Sequence, residues 1–297
     1  MLYQNYWSME LTLGFSPCPN DTFIFDALIH HKIDTQGLDF AVGYHDVETL
    51  NQKAFRQELD ITKLSYHAFA YAVEDYELLD AGSALGFGVG PLLIAKDEAL
   101  AEQLTQYAGS FLPQELQKLK IGIPGKYTTA NFLLGLAYPL LQNKQELIFS
   151  DIEQALLDGR IDLGLIIHEN RFTYQDKGLH KVIDLGDYWE KTTQNPIPLG
   201  GIVIKRSLPV ETRLLVNELI HQSVEYAFAH PKSALDYIRS HAQEMEESVM
   251  YKHIELYVNQ YSSDLGEVGR RAIQTMFDEA KFLGLVPKTE KNIFLTS

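Results

Sequence analysis

Four short polar clusters in this chain have the residue types and spacing for chemistry. His168 ends the apolar run Ile161–Asp162–Leu163–Gly164–Leu165–Ile166–Ile167. Imidazole is the side chain best matched to proton transfer near neutral pH. In Thr62–Lys63–Leu64–Ser65 an ammonium and a hydroxyl stand where a short strand gives way to a helix, a combination suited to an anionic ligand. Gly125–Lys126–Tyr127–Thr128–Thr129 follows a strand and places two threonines at a helix start, where hydroxyls and amides suit a carboxylate or a hydroxyl-rich molecule. In Gly14–Phe15–Ser16–Pro17–Cys18–Pro19–Asn20–Asp21 two prolines fix a loop, turning Ser16, Asn20 and the first helical amides toward one side. Each cluster also has a plain structural reading. These are a hydrogen-bonded histidine at a strand end, an exposed or paired lysine, a threonine cap with its neighbour idle, and a rigid turn with a helix cap.

Several other chemistries fail on spacing. Gly122 and Gly125 are separated by two residues, whereas a phosphate-binding loop needs four between its glycines. The glycine-rich stretch 82–90 precedes a strand instead of opening a helix, so it is expected to be a hinge or a cleft-lining loop and not a dinucleotide site. No histidine pair has metal spacing, so neither a metal nor another cofactor is expected. Cys18 has no histidine at a supporting spacing and is expected to be a small buried thiol.

The elements that must position these clusters alternate. Leu11–Phe15, Leu38–Tyr44 and Asp60–Lys63 are expected strands. Helices at Asp21–His31, capped by Asn20 or Asp21, at Val47–Arg56 and from Ser65 lie between and after them. A second series runs strand Lys120–Ile123, helix Thr128–Leu141 with Pro139 to kink or end it, strand Leu147–Phe149, helix Asp151–Leu157, the strand before His168, and strand Val182–Leu185. Such alternation predicts mostly parallel sheets with covering helices. The similar strands Gly90–Lys96 and Leu199–Lys205 flank the second series and read as crossovers between two lobes. Lobe one is expected to comprise residues 1–95 and 200–297, and lobe two residues 96–199. From Val210 the chain reads as helices at Val210–Ala229, Pro231–His241, Ser248–Asn259 and Gly266–Gly284, with Glu244–Glu247 a solvated helix start. All four clusters then lie at carboxyl ends of strands, two per lobe, facing a cleft between them.

The bulk numbers bound the function classes. The chain has 297 residues, of which 45% are hydrophobic and 22% charged, enough to bury cores in two lobes. Its formal net charge of -15 makes nucleic acid and anionic membranes poor partners. A local set of donors can still hold a small anionic carboxylate. One cysteine fits a reducing compartment. Met1–Ser8 lacks signal character and reads as an extension before Met9, and no apolar stretch is long enough to span a bilayer. A cytoplasmic protein is expected.

The clusters taken together resemble a known family. Gly14-Phe-Ser-Pro-Cys-Pro-Asn-Asp-Thr-Phe23, Thr62-Lys-Leu-Ser65, Gly125-Lys-Tyr-Thr-Thr-Ala130 and Leu165-Ile-Ile-His-Glu169 resemble the 1,4-dihydroxy-6-naphthoate synthases of the futalosine route to menaquinone. The resemblance runs from about Leu11 to about Leu285. It implies an α/β, two-lobed, type 2 periplasmic-binding-protein-like fold with a ligand cleft and a helical C-terminal part. It implies a cofactor-independent lyase that converts cyclic dehypoxanthine futalosine to 1,4-dihydroxy-6-naphthoate, releasing a dihydroxyacetone fragment. By motif, His168 matches the family's proton acceptor. Lys63, Leu64, Ser65, Thr128 and Thr129 match its substrate contacts, and Ser16 and Asn20 fall in a cleft-lining motif. Glu169 is expected to serve elsewhere, because strand neighbours point to opposite faces. Two alternatives remain: chorismate dehydratase of the same pathway, or a non-catalytic solute-binding protein.

Overall fold

The computed structural model describes residues 9–168, 170–242 and 246–296. The extension Met1–Ser8 and residues Glu169, Gln243, Glu244, Met245 and Ser297 lie outside the described residues.

The first sheet grows from strand β1 (Met9–Phe15), whose Leu11, Leu13 and Phe15 are all buried. β1 pairs in parallel with β2 (Leu38–Tyr44) on one side and β3 (Ile61–Ser65) on the other. Two short strands follow, β4 (Tyr76–Leu78) and β5 (Ala84–Gly86). The chain then builds the second sheet from β6 (Leu92–Ala95), β7 (Ile121–Ile123), β8 (Lys144–Glu146), β9 (Leu163–Ile166) and β10 (His180–Asp184), in the order β10-β6-β9-β7-β8. It returns as β11 (Ile197–Lys205), which enters the first sheet between β3 and β4, antiparallel to both, and also pairs β5.

Both sheets are therefore mixed. The parallel runs β2-β1-β3 and β8-β7-β9 match the expected alternation, while β11 runs against β3 and β6 runs against β9. The expected division placed residues up to 95 in lobe one. Instead Leu92–Ala95 pairs with β9 and β10 in the second sheet. An apolar strand carries no mark of which sheet it joins, because the pairing is set by distant partners. β6 is buried on both faces: Leu92 and Ile94 pack with Ile152 and Leu156, and Leu93 belongs to the cluster that holds Leu133, Leu165 and Trp189. That is the pattern of a central strand under two helical layers.

Five helices of the strand-containing part matter below: α1 (Pro19–Ile29), α2 (Val47–Phe55), α3 (Tyr66–Ala72), α4 (Glu98–Thr105) and α5 (Thr129–Ala137). α1 opens with proline at its first position, after Cys18, and neither Asn20 nor Asp21 caps it. Proline's preset φ and missing N–H suit that position, which frees both polar side chains for other bonds. α5 stops at Ala137, two residues before Pro139, as the restriction on the residue preceding proline dictates. The expected strand Leu147–Phe149 is displaced: the polar Lys144–Glu146 forms the edge strand, and Phe149–Asp151 is a turn of 3-10 helix. An edge strand need not be apolar, and the hydrophobic pattern points past it.

The C-terminal helices cover the first lobe. Val210–Ala229 packs along α1, where Ser223 Oγ donates to the Ile24 carbonyl at 2.6 Å and accepts from the Leu28 amide at 3.1 Å. Glu247–Tyr257 also contacts α1. Among the described residues, no helix is long and apolar enough to cross a membrane.

Candidate active site

All eight residues singled out from sequence line one cleft of about 710 Å³, measured to include its open mouth. The walls are mainly apolar, with Val47, Leu50, Val89, Ile167 and Leu199 beside the polar groups.

His168 stands just beyond β9. The strand ends at Ile166, and His168 takes a left-handed backbone, φ 57°. Non-glycine residues adopt that region only with a cost, and such residues concentrate at functional sites. The turn removes His168 from the strand's alternation, so alternation no longer decides where Glu169 points, and Glu169 is outside the described residues. The imidazole is half-buried. Phe149 meets it edge-on, with ring centroids 4.9 Å apart, and His253 lies nearly parallel at 6.0 Å and 16°.

Lys63 does not offer an unpaired charge. Its ammonium sits 3.1 Å from Asp21 Oδ1 and donates to the Gly82 carbonyl at 2.9 Å. Both side chains are buried. An ammonium in such a place needs a counter-ion, and Asp21, 42 positions earlier in the chain, supplies it. The same carboxylate accepts from Ser16 Oγ at 2.7 Å, the Ser16 amide at 3.2 Å and Asn20 Nδ2 at 2.8 Å. Asp21 thus ties the Gly14–Asp21 and Thr62–Ser65 clusters into one network.

The hydroxyls of the other clusters are likewise engaged. Ser65 Oγ accepts from Asn51 Nδ2 at 3.5 Å, and the Ser65 amide donates to Asn51 Oδ1 at 3.2 Å. Thr128 caps α5, accepting from the Asn131 amide at 3.2 Å while donating to the Gly125 carbonyl at 2.8 Å. Thr129 is not idle: it donates to the Leu199 carbonyl at 2.7 Å, linking the start of α5 to β11 of the other sheet. What remains for a ligand at the start of α5 is the pair of backbone N–H groups that helix geometry leaves without a carbonyl in their own helix. The starts of α1, α3 and α5 all reach the cleft through Asn20, Ser65 and Thr129. Three positive helix ends can therefore favour an anion without a free cationic side chain.

Sequence reasoning missed four contributors: Asp21 as the network's centre, Asn51 behind Ser65, Tyr257 in the wall, and His253. His253 is fully buried, and its Nε2 lies 2.8 Å from Asn20 Oδ1. Burial pushes its pKa well below the ordinary histidine value, with the nearby His168 adding to the effect. Asp21 lies within the Gly14–Phe23 motif, but no spacing motif marks Asn51, His253 or Tyr257, which tertiary packing alone brings to the site.

Comparison with known proteins bears on the family and the fold. A family described as menaquinone biosynthesis matches residues 11–281. A 1,4-dihydroxy-6-naphthoate synthase of Thermus thermophilus is 42% identical over 285 residues, 96% of this chain and 99% of that protein. A crystal structure of a protein from Archaeoglobus fulgidus superposes with a TM-score of 0.83 at 33% identity, covering 96% of this chain and 100% of that one. The periplasmic aliphatic sulphonate binding protein of Escherichia coli matches at a TM-score of 0.62 and 11% identity, over 94% and 89% of the two chains, a likeness of fold alone. The architecture is thus periplasmic-binding-protein-like, and by near full-length similarity the chain belongs to the 1,4-dihydroxy-6-naphthoate synthases, an enzyme family of menaquinone biosynthesis.

Proposed function

We propose that this enzyme converts cyclic dehypoxanthine futalosine to 1,4-dihydroxy-6-naphthoate with release of a dihydroxyacetone fragment, and that His168 is its proton acceptor. The observation that carries this reading is a half-buried imidazole at the wall of a mainly apolar cleft, facing helix starts from both lobes. A neutral imidazole removes a proton from the bound substrate, a carbon–carbon bond breaks, and the electron pair enters the new aromatic ring. Aromatisation supplies driving force, so the protein contributes a base, orientation, and donors for developing oxyanion charge. The donors are the amides at the start of α5. The Lys63–Asp21 pair keeps the floor of the cleft neutral and rigid, Leu64 and Ser65 with Thr128 and Thr129 contact the substrate, and Ser16 and Asn20 line the cleft. The substrate's carboxylate is held by helix ends instead of by a lone lysine. A biosynthetic role and a single cysteine support a cytoplasmic location.

Turnover assays with cyclic dehypoxanthine futalosine and with chorismate test the assignment. Product is expected from the first substrate. Turnover of chorismate alone, or tight binding of either compound without turnover, overturns the reading. His168→Asn is expected to lower kcat by about 10²–10⁴-fold, the usual contribution of a positioned base.

A further inference from the structure

His253 is buried against the back of the catalytic wall and takes no part in the reaction as derived above. Its surroundings nevertheless fix it closely. Asn20 Nδ2 donates to Asp21 Oδ1 at 2.8 Å, and that carboxylate is itself held by Lys63 and Ser16. An asparagine whose amide nitrogen is turned to a carboxylate presents its carbonyl oxygen on the other side. That oxygen lies 2.8 Å from His253 Nε2, so His253 donates from Nε2. Its neutral ring is then the Nε2–H tautomer, set by a hydrogen bond in the way orienting partners set other histidines.

The locked ring is packed between the catalytic histidine and its own helix. The Tyr257 ring lies 4.7 Å from it, and the His168 ring lies 6.0 Å away, nearly parallel. Phe149 closes the edge of His168 at 4.9 Å. Among the described residues, the titratable and charged groups around His253 include His168, Tyr257 and, one hydrogen bond further, Asp21 with Lys63. Two imidazoles this close are costly to charge together. Burial keeps His253 uncharged.

We propose that His253 is a positioning residue: the Asp21–Asn20 relay locks its ring, and that ring sets the plane in which His168 meets the substrate. The inference rests on His168 being the base. His253→Gln retains an N–H for Asn20 and removes the ring face, while His253→Phe retains a ring and removes the N–H. The glutamine variant is expected to lose about tenfold or more in kcat with KM within about twofold, the signature of lost orientation. The phenylalanine variant is expected to recover part of that loss. Unchanged kcat in both folded variants, or a rise in KM with kcat unchanged, overturns the proposal. Histidine ¹⁵N shifts of the wild-type enzyme provide a readout that needs no variant: His253 is expected to carry its proton on Nε2 and stay neutral from pH 5.5 to 8, and the opposite tautomer breaks the relay and overturns the proposal. His168→Asn run alongside separates the two ideas. If it remains active, the base assignment fails; if it is inactive while both His253 variants turn over normally, only the present inference fails.

Discussion

Lys63 is read from sequence as a charge awaiting an anionic ligand, but in the cleft wall its ammonium is already paired with Asp21. Its pairing with Asp21 was not legible, because a contact across 42 positions leaves no periodic or motif signal. The consequence is energetic. Removing one member of a buried ion pair strands the other and costs about 3–5 kcal/mol, whereas replacing both by apolar residues of similar size is far less costly. Asp21→Ala is expected to lower stability by that amount in urea unfolding, and the double variant Asp21→Ala/Lys63→Met is expected to recover much of it. His168 was legible because it closes an apolar strand. Its left-handed backbone was not, since that depends on how the chain leaves β9.

At the scale of elements, long periodic segments read well and short ones do not. Val210–Ala229 has the expected bounds, while the edge strand Lys144–Glu146 was missed in favour of the apolar residues after it. The start of α5 was placed to within a residue, but the use of its two threonines depended on partners in β11 and in the turn at Gly125. α3 and α5 meet at His67, whose amide donates to Thr129 Oγ1 at 3.4 Å and whose ring packs on Phe132 at 5.2 Å. Burial pushes His67 down to about 4. A histidine with a depressed folded pKa contributes its full stability above the unfolded value near 6.5. That contribution is lost as pH falls toward 4, because the unfolded chain takes the proton first. The loss across that window is on the order of 2 kcal/mol after allowance for partial solvent access, and buried His253 acts in the same direction. Glu48, raised by burial, acts oppositely as it protonates at the acid end. The urea midpoint is therefore expected to fall between pH 7 and pH 5, and to fall less in His67→Gln.

At the scale of the whole molecule, the two-lobed plan and the cleft were legible from the repeated strand–helix alternation. The sheet membership of Leu92–Ala95 was not, because it depends on β9 and β10. A seam between the lobes is formed by Glu48 of α2, whose carboxylate accepts from the Tyr127 amide at 3.2 Å. Gly125 allows this approach: a Cβ there would lie 2.6 Å from Glu48 Cβ and 2.7 Å from its Cγ. Gly125→Ala must push α2 away from the loop that leads into α5, and overpacking of this kind costs about 1–3 kcal/mol. Because Thr128 and Thr129 sit on the same loop and helix start, KM is expected to rise several-fold, with a smaller change in kcat, in steady-state kinetics.

The insertion of β11 between β3 and β4 has a consequence for the order in which the chain assembles during synthesis. Every strand of the second sheet lies between Leu92 and Asp184, so that sheet is complete before Ile197 leaves the ribosome. The first sheet, although begun earlier, lacks its middle strand until Lys205 has been made. The amino-terminal strands must therefore wait with open edges while the later segment folds, reversing the usual amino-terminal-first order. Chains stalled after Thr193, once clear of the exit tunnel, are expected to resist protease across the second lobe and to be cut in the first.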